Sequence, residues 1–158
     1  MRDDNFSNAE DELPLLQFLT YRISRVHAKL NAQASTLLSD HSGLTLSRWR
    51  ILALVGAAGQ TRLSDLARAA ALDKGLLSRN LKVMVADGLI DAQQDDIDQR
   101  VHLLSLTQAG RSLFESTLPR MQERQAKLRA SLAPDELTTL YAALEKLEAA
   151  ADWRGDSA

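Results

Sequence analysis

Apolar residues recur along this chain mostly with helical spacing. Leu16, Ile23, Leu30 and Leu37 repeat every seven residues, and Leu19 and Val26 fill the alternate positions. A stripe this narrow and sustained predicts a long helix, from Pro14 to about Ser39, packed lengthwise on other helices. Pro14 suits a first helical turn, where its missing amide proton costs nothing. His41 to Gly43 reads as a break. Thr45 then caps a second helix with Leu46, Trp49, Leu52 and Ala53 on its inner side, and Gly56 and Gly59 end it. Leu63 to about Ala71 is a short alanine-rich helix with Leu66 and Ala67 facing in. Its small residues permit close crossing by another helix.

The stretch from Asp73 to Gly88 is the most sharply bounded. Asp73 can accept amide protons of the first turn, and glycine at Gly88 suits a left-handed C-cap. Leu77, Leu81 and Met84 form an apolar stripe, with Val85 beside it. The opposite face carries Lys74, Ser78, Arg79 and Lys82. Between Lys74 and Ala86 there are three cations and no acid. A short basic helix with small residues among its cations fits a DNA major groove, which is about 12 Å wide. Taken alone, a solvated surface helix fits equally well. The preceding helix and tight turn make the pair a helix-turn-helix pattern. That turn contains no glycine; Leu72 and the capping Asp73 are expected to form it.

Leu89 to Gln93 and Arg100 to Leu106 read as two short strands around a polar loop, Asp95-Asp96-Ile97-Asp98-Gln99. In the second, His102, Leu104 and Leu106 share a face. A hairpin directly after a basic helix is a wing. Thr107 caps another long helix running to about Leu132. Pro134 or Asp135 opens a last one, with Leu137, Leu140, Tyr141, Leu144 and Leu147 inside. Residues 1–12 and 153–158 are expected to be loose. The fold class is therefore mainly α with a β wing: a winged helix-turn-helix at 45–107 between terminal helices at 13–39 and 108–151, in one domain over 1–158. The terminal helices carry more leucine than the winged unit can cover. A twofold dimer would bury it and place two basic helices on one side, matching half-sites roughly 34 Å apart.

Composition narrows the function. The 158 residues are 45% hydrophobic and 25% charged, with a net charge of −2. That is a globular chain, and any nucleic-acid contact must come from a local patch. The absence of cysteine excludes thiolate catalysis, disulfides, zinc fingers and a thiol switch. No segment has the roughly 18 consecutive apolar residues of a membrane span, and the polar, acidic start is unlike a signal peptide, so the cytoplasm is the expected location. Asp96 and Asp98 resemble the start of a calcium loop, but Arg100 takes the next ligand position and no loop glycine follows. His27, His41 and His102 lack metal-ligand spacing. Ser78 lacks the glycines of a nucleophile elbow, and no glycine-rich phosphate loop exists. No metal, cofactor or enzymatic activity is expected.

Three blocks resemble the MarR family of regulators. Leu63-Ser64-Asp65-Leu66-Ala67 is similar to its support helix. Leu72 to Arg79, followed by Gly88-Leu89-Ile90, resembles its recognition helix and exit. Asp98-Gln99-Arg100 with Leu104-Ser105-Leu106-Thr107 and Gly110 resembles its wing signature. The resemblance implies a dimeric DNA-binding transcriptional regulator, expected to be a repressor on a palindromic operator, released by a small aromatic or phenolic ligand. It places Ser78 and Arg79 in the major groove, where arginine can bind guanine bidentately. Lys74 and Lys82 would meet phosphates, as would Arg62 unless it is simply solvated. Arg100 would enter the minor groove, with Asp98 supporting its guanidinium; the alternative is a salt bridge at the strand end. Three acids and Ile97 stand in a loop where many relatives carry arginine, so narrower wing contact is expected. For the effector, Arg25, His27 and Trp49 are the candidates, since arginine beside an aromatic suits an aromatic carboxylate. Against this, Trp49 also reads as core, and Arg25 and His27 as surface groups. A winged-helix protein-interaction module with weak or no DNA binding is the alternative function.

Overall fold

The computed structural model describes residues 14–94 and 102–152, in two compact units that divide after Thr117. The first unit contains a short 3-10 turn (Leu15–Gln17), α1 (Leu19–Ser42), α2 (Leu46–Ala58), β1 (Gln60–Arg62), α3 (Leu63–Ala69), α4 (Lys74–Ala86), β2 (Ile90–Gln94), β3 (His102–Leu106) and the start of α5 (Gln108–Ala130). The second contains the rest of α5 and α6 (Pro134–Ala151). No helix among the described residues is long and apolar enough to cross a membrane.

The core lies in the first unit. Leu38 of α1, Ile51, Leu52 and Val55 of α2, Leu66 of α3, Met84 of α4 and Ile90 of β2 are all 2% exposed or less. The sheet is antiparallel with order β1-β3-β2. Within β3, Leu104 and Leu106 alternate inward while His102, on the same face, sits at the exposed end.

Several expected boundaries move. The first helix begins at Leu19, because Pro14 precedes a 3-10 turn that ends at Phe18. It also continues past His41 to Ser42, where Gly43 at φ +68° stops it. His41, expected in a break, stays helical and its Nε2 bonds the Ser116 carbonyl at 3.0 Å. Gly56 does not end α2; a Cβ there would lie 3.0 Å from the Phe114 ring, so the residue permits a close approach inside the helix. Gly59, at φ +73°, is the true end. The turn between α3 and α4 is made by Ala71, which takes φ +50°. That conformation costs a non-glycine residue about 1–2 kcal/mol, so the surrounding core must hold it.

The wing signature has a packing explanation. The Thr107 hydroxyl donates to the Gly88 carbonyl at 2.6 Å and accepts the Gly110 amide at 3.0 Å. The Thr107 amide donates to the Leu89 carbonyl at 3.2 Å. One threonine thus joins the exit of α4 to the start of α5. A Cβ on Gly110 would stand 2.0 Å from that Leu89 carbonyl oxygen. Backbone meets backbone here, and only glycine fits.

In α6 no residue is buried, and Leu140, Tyr141 and Leu144 are 42%, 45% and 38% exposed. These residues, expected inside, are not buried among the described residues. The same holds for Leu16, Leu19, Ile23 and Val26 near the N-terminus, at 57%, 55%, 42% and 56%.

Candidate nucleic-acid interface

The chemistry of the basic helix follows from how α4 is fixed. The Asp73 carboxylate accepts the Leu76 amide at 2.8 Å and caps the first turn. At the other end, Gly88 at φ +69° donates to the Val85 carbonyl and Leu89 to that of Met84, a Schellman closure. Leu77, Leu81 and Met84 are buried at 3%, 8% and 0%. With both ends closed and one face locked, the other face has a fixed direction.

Lys74, Ser78 and Lys82 fall at four-residue intervals on that outer face, and Arg79 stands beside Ser78; all are exposed. Four of the expected DNA-contacting side chains are thus brought onto one helix. Arg62 is exposed at the end of β1, directly before α3. Arg100 and Asp98 lie outside the described residues. Gly75 sits beneath Arg79: a Cβ there would be 3.3 Å from both Arg79 Nη1 and Asp73 Oδ1. The bare backbone gives the guanidinium room to lie back along the first turn.

Beside α4 runs a groove of about 630 Å³, walled by α3, α4 and the β2–β3 hairpin. Its lining is apolar apart from Lys74, Ser78, Lys82 and His102. Val85, expected beside the apolar stripe, is 41% exposed and lines this groove. No local sequence signal marks the groove, because its walls come from three separated segments.

The candidate effector residues are each engaged elsewhere. Trp49 is 6% exposed and stacks on Phe114, with ring centroids 6.1 Å apart and planes at 21°. The Arg25 guanidinium lies 6.0 Å from the Tyr21 ring centroid, at the outer reach of a cation–π contact. The His27 Nε2 bonds the Asn31 side-chain nitrogen at 2.8 Å, and Arg50 donates to the Asn31 oxygen at 3.5 Å. Arg25 and His27 are exposed while Trp49 belongs to the core.

A capped basic helix, a helix before it in a tight turn and an antiparallel hairpin after it define a winged helix-turn-helix protein. Residues 42–100 match the MarR family profile. The HTH-type transcriptional regulator BilQ of Clostridium symbiosum (strain WAL-14163) is 28% identical over 66% of this chain and 73% of its own length. The HTH-type transcriptional repressor IacR of Pseudomonas putida is 29% identical over 73% of this chain and 66% of its own. In fold the chain is similar to BpsR of Bordetella bronchiseptica, whose DNA binding is regulated by 6-hydroxynicotinic acid. The TM-score is 0.77 at 22% identity, covering 90% of this chain and 99% of that one. Over these stretches the chain is similar to the MarR family and to transcriptional regulators of that type.

Proposed function

We propose that the protein is a dimeric repressor that sets α4 of each copy into successive major grooves of a palindromic operator and leaves it on binding a small aromatic ligand. The observation that carries this reading is the exposed face of Lys74, Ser78, Arg79 and Lys82 on a helix whose other face is locked in the core. Arg79 and Ser78 read base edges; Lys74, Lys82 and Arg62 position the protein on phosphates. Arg100 enters the minor groove, supported by Asp98. The uncovered apolar residues of α1 and α6 supply the dimer interface, since large exposed apolar patches mark association surfaces. IacR, a repressor, and BpsR, whose DNA binding a hydroxynicotinic acid regulates, support the repressor and effector parts. Arg25 and His27, exposed on α1, are the polar contacts proposed for the effector's carboxylate.

The test starts from a duplex selected out of a randomised pool by the wild-type protein. Affinity for it should fall steeply with salt, because neutralised phosphates release counterions. Arg79→Ala should cost about 1–3 kcal/mol and relax base preference. Unchanged affinity and unchanged preference would refute the assignment of α4 as the reading helix. Failure to select any duplex at low salt would favour a protein-interaction module.

A further inference from the structure

We propose that Gly75 is a positioning residue for sequence reading: its bare backbone sets where along α4 the Arg79 guanidinium lies, and so which base pair that group addresses. This rests on the reading of α4 above. A helical side chain leans toward the N-terminus and covers the surface one turn before its own Cα. By that rule Lys82 has Ser78 beneath it, whereas Arg79 has Gly75. The guanidinium borders the space that a side chain at 75 would take: a Cβ there would stand 3.3 Å from Arg79 Nη1 and 3.9 Å from its Cζ. Asp73 Oδ1 borders the same space, also at 3.3 Å, while it accepts the Leu76 amide. Free amides make the first turn electropositive, which opposes a cation there. The Asp73 carboxylate offsets that opposition, so the guanidinium can rest on the turn.

The backbone itself does not require glycine at this position. Gly75 lies inside α4, is exposed, and is not among the glycines of positive φ, which are Gly43, Gly59 and Gly88. Within a helix glycine is less stable than alanine, because it loses more backbone freedom on folding. The residue thus lowers helix stability without a conformational reason, and what it leaves open is the resting place of Arg79. A larger side chain at 75 would drive the guanidinium back toward its own Cα by up to one helical turn, about 5.4 Å, more than the roughly 3.4 Å between successive bases. The base pair within its reach would change.

The test selects duplexes from one randomised pool with each variant of the full chain. Arg79→Ala marks the operator position that Arg79 reads, by relaxing the preference there. Gly75→Leu should alter the preference at that same position, with a melting temperature at or above wild type. Gly75→Ala displaces the guanidinium less and should weaken binding to the wild-type duplex by roughly threefold or more. Combined with Arg79→Ala it should have no further effect. In the DNA-free protein, Gly75→Ala should shift the NMR signal of the Arg79 Nε–H group. An unshifted signal would overturn the role of Gly75 and leave the reading of α4 intact. So would a Gly75→Leu operator that matches wild type or differs only at other positions, or an equal loss from Gly75→Ala in both backgrounds. If Arg79→Ala itself relaxes no position, base reading by Arg79 fails, and its positioning by Gly75 fails with it.

Discussion

In α4, Leu77, Leu81 and Met84 fall three and four residues apart and are at most 8% exposed. In α6, Leu137, Leu140, Tyr141, Leu144 and Leu147 fall at similar spacings, and no residue of the helix is buried. Helical periodicity states that a face will be covered, but not by what. For α4 the cover is within the same unit, where α2 and the sheet pack on it. For α6 the described residues bury no side chain. The difference separates a helix positioned by its own fold from one whose apolar face is available to another molecule. In this protein the positioned helix is the cationic one.

The strongest way to break the positioned half of that contrast is Gly110→Ala. The added methyl would stand 2.0 Å from the Leu89 carbonyl oxygen, and neither group is a flexible side-chain end. Relief requires α5 to move off the β2 entry, which would also strip the Thr107 bridge from Gly88. The expected loss is at least about 3 kcal/mol, at the severe end of single substitutions. Chemical denaturation would measure it. A near-wild-type midpoint would mean that the junction of α4 and α5 is looser than described.

Next comes Leu144→Glu, which addresses the uncovered half. Leu144 is 38% exposed, so the change should leave the fold of the single chain intact. If the α6 face joins two copies, a buried charge there should weaken association by about 2 kcal/mol or more, as at interface hot spots. Sedimentation over a concentration series would show dissociation. A variant that associates as tightly as wild type would remove α6 from the interface.

The same contrast explains which features were readable from the amino acids. Where one residue's own chemistry decides the backbone, sequence and structure agree: Asp73 and Thr45 cap their helices and Gly88 closes α4. The leucine spacing also located α4's buried face. What failed was decided by distant partners. Gly56 has the composition of a helix end but sits inside α2 under Phe114. Ala71 has no sequence mark of a positive φ, yet takes φ +50° in the turn between α3 and α4. Strand β1, Gln60-Thr61-Arg62, has no alternating apolar pattern and exists through its pairing with Leu103 to Ser105. Of the site, the cationic face of α4 was legible as a helical pattern. The adjoining groove was not, because Leu63, Val85 and Leu104 meet only after folding.

A smaller effect is expected from Asp73→Ala. It removes the acceptor for the Leu76 amide and should cost about 1 kcal/mol, the usual worth of an N-cap. Because the buried face still holds α4, thermal melting should remain cooperative. In α6 the corresponding end is served by Glu136, which accepts the Ala133 amide at 2.7 Å. Glu136→Ala, on a helix without a buried residue, should instead appear as local fraying in amide exchange. Equal behaviour of the two variants would erase the distinction between the helices.

The smallest effect should come from Glu123→Gln on α5. Lys127 donates to the Glu123 carboxylate at 2.7 Å, and Arg120 lies 3.7 Å away. The Lys127 hydrogen bond and charge hold this carboxyl below the ordinary glutamate value, with a lesser pull from Arg120. A lowered folded-state value means that the ionised form favours the fold above the ordinary value. The benefit is lost as pH falls from there through the lowered value. The group is fully exposed, so solvent screens most of the interaction. The melting temperature of Glu123→Gln should therefore match wild type once pH is below the lowered value and fall only marginally short of it near neutrality. A clear deficit at neutral pH would show that ion pairing along α5 stabilises the chain more than an exposed pair ordinarily does, and would give the second unit a source of order other than its uncovered leucines.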